Sequence, residues 1–318
     1  MTTTVDIAII GEALIDLVDP GDDSPAVAHP GGSPLNVAVG LARLGQPARF
    51  VGRFSHDPFG TVLRSHAQRS GVDVDSAITD TRPSTIALVH LRSGVADYEF
   101  FVDGTADFAW TGAELAACTG NPAILHFGSL ASWLPPGNTA ITRFAADRHA
   151  RGDVLISYDP NVRPRLQADP AAARVAVEAA LPSADLVKAS IDDLRWLYGD
   201  RPEAEVAQSW LALGPRLLVV THGGDGSRAY VAGAAALQRP VPAVPVVDTV
   251  GAGDAFMSGL LDSLVRTGTT TPTGLAAAVA DQERLIAVLD RAGLIAAITC
   301  SRAGANPPRL AEDEAAGR

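Results

Sequence analysis

Short apolar runs alternate with amphipathic stretches along most of the chain. The runs that have the length and apolar content of buried strands are 5–10, 48–53, 123–127, 154–158, 184–189 and 216–220. Stretches with apolar residues at helical spacing lie between and after these runs, for example at 139–151. Because consecutive parallel strands are normally joined through a helix, this order predicts a mainly parallel central sheet between two helix layers, a three-layer α/β/α fold.

Residues 84–102 have a different pattern. Residues 85–91 and 98–102 have the composition of strands, and the short turn Arg92-Ser93-Gly94 lies near the middle of this segment. Two strands about a short glycine turn form a hairpin, so we expect a small β appendage on a single domain that spans residues 1–318. Phe100 and Phe101 on the returning strand are expected to be core residues, with a ligand contact or a dimer contact as the alternatives.

Composition excludes several classes of partner. The chain has 25 basic and 36 acidic residues, a net charge of −11, which is unfavourable for binding nucleic acid or an anionic membrane. Cys118 and Cys300 are far apart and have no metal-type spacing, which is typical of a reducing compartment. The first ten residues lack the features of a signal peptide, and no uncharged apolar run reaches membrane-spanning length. We therefore expect a cytoplasmic protein.

The stretch from Asp248 to Phe256 predicts an anion site. Gly251-Ala252-Gly253 follows an apolar, proline-punctuated lead-in and begins a helix near Ala252. A helix that begins in small residues presents free N–H groups and the positive end of its dipole to a ligand. Asp254 in the first turn is either an ordinary N-terminal acid or a base for a hydroxyl held against a phosphate. The combination of turn, helix and acid favours the base.

A second glycine-rich segment begins another helix. Gly31 and Gly32 allow a ligand to approach the backbone, and Ser33 can cap the helix. Asn36 lies in the first turn, with its amide towards the loop. Asp16 follows the first strand, at the edge where α/β sheets place ligand groups. A capped amphipathic helix and an ordinary loop acid are the structural alternatives.

Polar or glycine-rich loops follow three later strands, at 159–164, 190–193 and 221–227. The carboxyl ends of strands are the ligand-binding edge of an α/β sheet. The structural alternatives are a turn with Asp–Arg pairing, a capping box made by Ser190 and Asp193, and a hairpin turn. The chain has no Gly-Lys-Ser/Thr Walker sequence, which disfavours a P-loop kinase.

Taken in order, these segments resemble the ribokinase-like (PfkB) carbohydrate kinases, and most closely their fructokinase-like branch. The segment around Gly32 and Asn36 resembles the first signature of the family, and the segment around Asp254 resembles the second. The resemblance runs from Gly11 to Pro308 and implies the ribokinase-like fold. In that fold a small β lid covers the sugar and often pairs across a dimer; here its strands would come from about 12–30 and 84–108.

The resemblance implies transfer of the γ-phosphate of ATP to a hydroxyl of a small sugar. In the family, the residue that matches Asp254 is the catalytic base, and the residues that match Gly251, Ala252 and Gly253 form the anion hole. The implied sugar-binding residues are Asp16, Gly31, Gly32, Asn36, Asp103 and Arg163.

The resemblance also implies where ATP, Mg²⁺ and K⁺ bind. The residues beside ATP are Lys188, Ser190, Thr221, Gly224, Gly226 and Asn306. Where the family has Asn-x-x-Glu, tied to magnesium and phosphate, this chain has Ser190 and Asp193; the shorter carboxylate of Asp193 fits a water-mediated Mg²⁺ contact. The K⁺ that the family often binds between two loops maps to Asp248, Val250, Arg302 and Gly304.

Among acceptors, the sequence favours fructose. Relatives that phosphorylate 2-keto-3-deoxygluconate carry an arginine at the position of Val102, because a carboxylate in a closed site needs a charged partner. Val102 supplies none and Asp103 would repel the acid, although Arg163 could partly substitute. A neutral sugar needs only hydroxyl partners, which Asp16, Asn36 and Asp103 can provide.

Other functions stay open at this point. The alternative acceptors are 2-keto-3-deoxygluconate, ribose and a nucleoside; a nucleoside would need an apolar lid, and the hairpin sequence does not decide this. A non-catalytic sugar or nucleotide sensor would be expected to have lost the base, yet Asp254 is present.

Overall fold

Strands and helices alternate in the computed structural model, which describes residues 5–21, 24–92 and 95–312. The strands are β1 Ile7–Ile10, β2 Leu14–Asp19, β3 Val27–Gly31, β4 Ala48–Val51, β5 Arg53–Ser55, β6 Ile78–Asp80, β7 Thr85–Arg92, β8 Val95–Phe101, β9 Ile124–Gly128, β10 Leu155–Asp159, β11 Leu186–Ser190, β12 Leu217–Thr221, β13 Ser227–Tyr230 and β14 Leu237–Arg239. The α-helices are α1 Ser33–Arg43, α2 Pro58–Arg69, α3 Gly112–Thr119, α4 Ser129–Trp133, α5 Asn138–Arg151, α6 Pro170–Ala180, α7 Ile191–Tyr198, α8 Glu203–Leu211, α9 Ala252–Arg266, α10 Pro272–Ala280 and α11 Gln282–Cys300.

The central sheet has eight strands in the order β14-β13-β12-β11-β10-β9-β1-β4. All pairs from β4 to β12 are parallel, whereas β13 and β14 are antiparallel additions at one edge. The parallel part confirms the sheet that the alternating sequence pattern predicts. The glycine-rich loop at 221–227 joins the antiparallel pair β12 and β13, so it is a hairpin turn as well as a candidate ligand loop.

The two faces of the sheet pack against separate helix layers. In β1, Ala8 and Ile10 belong to the core under α5, α6 and α7, whereas Ile7 and Ile9 belong to the core under α1, α9 and α11. All four side chains are buried. Burial on both faces explains why these strands are continuous apolar runs, and each large core side chain stabilises the fold by about 1.5–3 kcal/mol. The architecture is the expected three-layer α/β/α fold.

A second sheet of four strands, order β3-β2-β7-β8, forms the lid. Strands β2 and β7 are parallel, and β3 and β8 pair antiparallel on the outside. The expected lid segments at 12–30 and 84–108 contain all four strands, and β7 and β8 form the expected hairpin. Residues 93 and 94 of its predicted turn lie outside the described residues.

The C-terminal part of the described chain forms two consecutive helices, α10 and α11. Asp281 has φ −97° and ψ 101°, and its side chain accepts a hydrogen bond from the Arg284 N–H as the N-cap of α11. This cap separates α10 from α11, and α11 continues to Cys300 and packs along α9. No helix within the described ranges is long and apolar enough to cross a bilayer.

Candidate active site

Polar loops converge at the carboxyl edge of the central sheet. Gly128 and Asp159 end β9 and β10 side by side, and Ser190 and Thr221 end β11 and β12 side by side. The first turn of α9 lies close to β11 of this sheet, because a Cβ added to Gly253 in that turn would lie 2.9 Å from the Lys188 ammonium. Ligands of open α/β sheets bind at this edge, so the candidate loops of the sequence meet where a ligand is expected.

The anion loop, residues 251–253, contains glycine for steric reasons. Gly251 is the N-cap of α9 with φ 74°, a backbone conformation that strains other residues. It also lies against the C-terminal loop, because a Cβ added to Gly251 would lie 2.6 Å from the Cβ of Ala305. The positive end of α9 lies at the predicted anion loop, where the Ala252 N–H donates to the Thr249 carbonyl at 3.2 Å. Anion binding by this loop stays a prediction.

Asp254 is buried in the first turn of α9 and is held by two donors from α1. The Ser33 hydroxyl donates to Oδ1 at 2.6 Å, and the Asn36 amide donates to Oδ2 at 2.8 Å. Gly32, with φ 100°, is the N-cap of α1, so the expected capping role of Ser33 was wrong. Its hydroxyl orients the candidate base instead, and Asn36 does the same with its amide.

A buried ion pair lies beneath the anion loop. Lys188 Nζ lies 2.9 Å from Oδ2 of Asp159, and both side chains are buried. A Cβ on Gly253 would lie 2.9 Å from the same ammonium, so Lys188 touches the loop that would hold the transferred phosphate. Burial raises the pKa of Asp159 to about 6, although Lys188 acts to lower it. Burial also acts to lower the pKa of Lys188, but the neighbouring carboxylates outweigh it and raise that pKa.

Asp16 lies on β2 of the lid and faces the same space. A Cβ on Gly31 would lie 2.2 Å from Oδ2 of Asp16, so only glycine at position 31 leaves room for this carboxylate. Burial raises the pKa of Asp16 to about 6, the Arg163 guanidinium acts to lower it, and Asp254 acts to raise it. Arg163 and Asp254 thus lie close enough to Asp16 to influence its pKa.

Two non-glycine residues with positive φ follow the neighbouring strands β9 and β10. Ser129 has φ 52° and Asn161 has φ 40°. The Asn161 amide donates to the Ser129 hydroxyl at 3.4 Å, and Arg163 Nη1 donates to Oδ1 of Asn161 at 2.6 Å. Such strained backbone is frequent where a functional loop is held in one geometry. Asn161 therefore positions Arg163.

Asp103 is exposed on the lid and lines a cavity of about 220 Å³ together with Arg82 and Val102. The cavity lies where β8 returns to the body of the molecule, beside the cis peptide bond between Pro135 and Pro136. The cavity is lined by one basic side chain, Arg82, and one acidic side chain, Asp103. The sugar-binding role expected for Asp103 stays a prediction.

The loop at 221–227 is held from outside by Glu203 at the start of α8. Glu203 Oε1 lies 3.1 Å from Nε2 of His222 and accepts from the Tyr230 hydroxyl at 2.8 Å. Within the loop, the His222 N–H donates to the Gly226 carbonyl at 2.8 Å. Thr221 and Gly224 lie at the start and tip of this loop, so its backbone is preorganised for a ligand.

Ser190 and Asp193 form the capping box of α7. The Ser190 hydroxyl accepts from the Asp193 N–H, and the Ser190 N–H donates to Oδ2 of Asp193 at 2.8 Å. Oδ1 of Asp193 accepts from the Val162 N–H at 2.9 Å, which ties this helix to the loop that carries Arg163. The structural role is therefore present; the water-mediated Mg²⁺ contact of Asp193 stays a prediction.

The two loops expected to bind K⁺ lie together. Oδ2 of Asp248 accepts from the Gly304 N–H at 2.8 Å, and Oδ1 accepts from the Val250 N–H at 3.0 Å. The Asp248 N–H donates to the Cys300 carbonyl at 3.2 Å. Adjacent loops that can offer carbonyl oxygens, with a carboxylate between them, fit the oxygen ligands that hard cations prefer.

Two predicted side chains face elsewhere. The Asn306 carbonyl oxygen accepts from Nη1 of Arg43 at 2.6 Å, which joins the C-terminal loop to α1. The Arg302 guanidinium pairs with Glu312 at 3.2 Å. Their contacts do not support a direct ligand role for either side chain, and the contact of Asn306 with the nucleotide stays a prediction.

The sequence interpretation missed three positioning residues, namely Ser33 as a partner of Asp254, Asp159 as the partner of Lys188, and Glu203. Lysine within a buried apolar strand is costly unless it is paired, so Lys188 was itself a signal for a nearby acid. Ser33 and Asn36 are three residues apart and share one face of α1. Glu203 has no comparable sequence signal, because its partners come from a different strand and loop.

Comparison with known proteins matches this geometry to one family. The profile described as "pfkB family carbohydrate kinase" matches residues 5–312. A fructokinase of Rhizobium leguminosarum bv. trifolii is 37% identical over 264 residues, which cover 81% of this chain and 79% of that protein. The fructokinase of Xylella fastidiosa with bound ATP has a TM-score of 0.89 at 27% identity over 98% of both chains. A double mutant of the Vibrio cholerae O395 fructokinase, bound to fructose, ADP and potassium, has a TM-score of 0.85 at 26% identity over 99% of both chains.

Proposed function

The chain belongs to the pfkB family of carbohydrate kinases, and from this premise we propose that it is a fructokinase, which transfers the γ-phosphate of ATP to a hydroxyl of fructose. Similarity to fructokinases extends over most of the chain, and a fructokinase that binds fructose, ADP and potassium shares its fold. The observation that carries the proposal is Asp254, a carboxylate held by Ser33 and Asn36 at the N-terminus of α9, beside the anion loop.

Asp254 acts as the base in this mechanism. The proton of the acceptor hydroxyl passes to a carboxylate oxygen of Asp254 while the hydroxyl oxygen attacks the γ-phosphorus of ATP. The hydrogen bonds donated by Ser33 and Asn36 hold the Asp254 carboxylate in one orientation, so the base is already positioned before the sugar binds.

The anion loop and Lys188 stabilise the charge on the transferred group. The N–H groups of Gly251 and Gly253 would face the phosphoryl oxygens, whereas the Ala252 N–H donates to the Thr249 carbonyl at 3.2 Å. The Lys188 ammonium lies next to Gly253. Mg²⁺ arrives with ATP as part of the substrate, and Asp193 is the residue that would reach it through water. A bound K⁺ would supply positive charge near the nucleotide phosphates, held by the loops that Asp248 joins.

Asp16 and Arg163 position the sugar. Asp16 offers two acceptor oxygens to sugar hydroxyls, and Gly31 and Gly32 let the sugar approach the backbone. Nη1 of Arg163 already donates to Asn161 and Val162, so part of its hydrogen-bonding capacity is used by its own loop. A neutral sugar fits this site better than an acid whose carboxylate would require a free guanidinium fork.

The lid is the proposed dimer surface. Strands β3 and β8 are the two edges of the lid sheet, and unpaired edges readily add further strands. Val27 on β3 is 51% exposed. Phe101 on β8 is 50% exposed, so the expectation that Phe101 is a core residue was wrong. Substituting Phe101 with glutamate is expected to convert a dimer to a monomer in sedimentation velocity, whereas a monomeric parent protein would refute this surface.

The test of the proposed function is ADP release by purified protein with ATP and Mg²⁺. We expect kcat/KM for fructose to exceed the values for ribose, 2-keto-3-deoxygluconate and adenosine, measured together. The Asp254→Asn variant is the control that distinguishes this activity from a contaminating kinase. A clear preference for the sugar acid or the nucleoside would overturn the choice of fructose, and a preference for ribose would keep the mechanism and change the acceptor.

A further inference from the structure

Asp107 lies where the chain passes repeatedly between the lid and the body of the molecule. Ala13 immediately precedes lid strand β2, Thr85 begins β7, and Thr105 follows the end of β8. Asp107 is 1% exposed and contacts the first two of these positions: its Oδ1 accepts from the Ala13 N–H at 3.0 Å, and its Oδ2 lies 2.6 Å from the Thr85 hydroxyl. The carboxyl group of Asp107 therefore links the segment that enters β2 to the segment that enters β7, at the base of the lid.

A chain of oxygen contacts continues from this carboxyl group. The hydroxyl oxygens of Thr85 and Thr105 lie 2.8 Å apart, and the Thr105 hydroxyl donates to the Val102 carbonyl at 2.9 Å. Thr85 is fully buried and Thr105 nearly so. From Asp107 to Val102 there are thus three consecutive oxygen–oxygen contacts at hydrogen-bond distance.

The number of protons decides the state of Asp107. Each of the three contacts needs one proton between its oxygens, and the hydroxyls of Thr85 and Thr105 supply only two. If Asp107 were ionised, one contact would hold two facing lone pairs. This would be either the buried Thr85–Thr105 contact or the part-buried Thr105–Val102 contact, where the Val102 carbonyl would keep only the Thr105 N–H at 3.3 Å as a donor. If the carboxyl group is protonated, it donates to Thr85, Thr85 donates to Thr105, and Thr105 donates to Val102, so every contact is satisfied.

We propose that Asp107 is a protonated carboxylic acid at the head of this hydrogen-bond chain, and that the chain fastens the base of the lid and thereby positions Asp16 against the sugar. Asp107 is a positioning residue, since it contacts Ala13 and Thr85 and would act on the sugar only through Asp16. The part that concerns the sugar rests on the proposed function; the protonation of Asp107 does not.

The charged surroundings agree with this assignment. Burial, with a smaller contribution from Glu12 on the adjoining loop, raises the pKa of Asp107 to about 7, although the hydrogen bonds with Ala13 and Thr85 act to lower it. The Arg53 guanidinium on β5 acts in the opposite direction, but it is already paired with Asp80 and Glu114. Glu12 is itself buried and accepts from the Ala131 N–H at 3.1 Å.

The pH dependence follows from the third proton. Below about pH 7 the hydrogen-bond chain from Asp107 to Val102 has all three protons and stabilises the base of the lid. As the pH rises through this value the proton is lost, one contact fails, and β2 is held less firmly, so the KM for the sugar should rise about three- to tenfold while kcat changes less. The stability that protonated Asp107 contributes is fully present below the unfolded-state pKa of 3.8 and is lost as the pH rises towards 7.

The Asp107→Asn variant tests the proposal because an amide mimics the protonated acid. Its oxygen can accept from Ala13 and its NH₂ group can donate to Thr85 at every pH. We expect a sugar KM within about twofold of the parent below pH 7, and no alkaline rise in that KM. The matched control is Asp80→Asn, a buried acid that accepts two hydrogen bonds from Arg53 as a carboxylate, which should lower the melting temperature.

An activity-independent measurement accompanies the kinetics. In isotope-edited infrared difference spectra near pH 6, the parent should show a protonated-carboxyl band that Asp107→Asn lacks. Absence of this band, or an Asp107→Asn variant that loses sugar affinity as completely as Asp107→Ala, would overturn the proposal. If no sugar is phosphorylated by any variant, the proposed function fails, while the infrared band still decides the protonation of Asp107.

Discussion

At the residue scale, carboxylates of the same chemical type acquire different roles from their surroundings. Asp254 is held as an acceptor by two donors, Asp159 is paired with a buried lysine, and Asp16 faces the ligand space with a pKa raised to about 6. Separation of acid and base roles by environment is a general property of enzyme sites. Each carboxylate is therefore expected to respond differently to loss of its charge.

Asp254→Asn removes the proton acceptor while it preserves the size of the side chain. We expect turnover to fall by about 10²–10⁴-fold, with ATP affinity nearly unchanged, because the base acts on the hydroxyl and not on the nucleotide. Steady-state kinetics and calorimetric titration with ADP measure the two quantities separately. Turnover within a few-fold of the parent would be incompatible with the assigned base.

The raised pKa of Asp16 predicts that sugar binding weakens on the acidic side of the pH profile. Its carboxylate is ionised above about pH 6 and protonated below, so the KM for the sugar should rise as the pH falls through this value. Asp254 helps to raise the pKa of Asp16, and the Asp254→Asn variant should therefore shift this limb of sugar binding to lower pH. Sugar affinity measured by titration between pH 5 and 8 checks both expectations. If Asp254→Asn leaves the pH midpoint of the acidic limb unchanged, Asp254 does not influence the pKa of Asp16 in sugar binding.

At the scale of elements, the ends of helices and strands decide the site. The N-terminus of α9 provides the anion loop, the start of α1 provides the donors to Asp254, and the carboxyl ends of β10 and β11 provide Asp159 and Lys188. Because these positions belong to rigid elements, their mutual geometry is held by the two cores on either side of the sheet.

Gly251→Ala tests the start of α9, and Gly268→Ala, just past its end, is the matched control. The two glycines have φ 74° and 68°, so alanine should incur a similar backbone strain of about 1 kcal/mol at each. A Cβ at position 251 would also meet Ala305, whereas one at position 268 meets nothing within 4 Å. We expect kcat to fall at least tenfold only for Gly251→Ala; equal kinetics for the two variants would contradict the role of the anion loop.

Lys188→Met tests the pair beneath the anion loop. Loss of the ammonium leaves Asp159 buried without its partner, which should cost about 3–5 kcal/mol of unfolding free energy. The double variant Lys188→Met with Asp159→Asn should recover most of this stability, because no buried charge is left. Turnover should stay low in both variants if Lys188 also contacts the phosphate, and recovery of turnover in the double variant would limit Lys188 to a structural role.

At the scale of the whole molecule, the candidate site takes residues from both sheets. The central sheet leads into the loops proposed to bind the nucleotide, and lid strand β2 carries Asp16, which is proposed to bind the sugar. The loops at 248–250 and 300–306, which are proposed to lie beside the nucleotide, are joined by the hydrogen bond from the Gly304 N–H to Asp248. Ligands that engage both sides should therefore stabilise the entire fold.

Thermal unfolding with ATP and monovalent salts tests this coupling. A ligand at about 100 times its Kd stabilises the native state by about 2.7 kcal/mol, so the melting temperature should rise with ATP. We expect a larger rise, and faster turnover, in K⁺ than in Na⁺ at equal ionic strength. Asp248→Ala, which releases the two loops, should abolish the difference between the salts; equal effects of K⁺ and Na⁺ on the parent would exclude a selective site.

Local sequence patterns were sufficient for the fold class and for the central part of the site. Strand runs such as β1 and β12 are apolar throughout because both faces are buried, and this pattern requires no knowledge of distant residues. The turn at Gly251 and the acid at Asp254 could also be predicted from the sequence, because the helix start, the small residues and the charge lie within a few consecutive positions. The lid hairpin followed from its short turn.

Contacts between distant residues were decided by the tertiary structure alone. Ser33 donates to Asp254 across 221 positions, and Ala13 donates to Asp107 across 94 positions. No local pattern distinguishes a serine that caps its own helix from one that orients a base on another helix. The proposed protonation of Asp107 likewise depends on burial and on two threonines that the fold brings together. The sequence by itself determined which elements form and which residue types could act, whereas only packing determined their partners, their burial and therefore their charge.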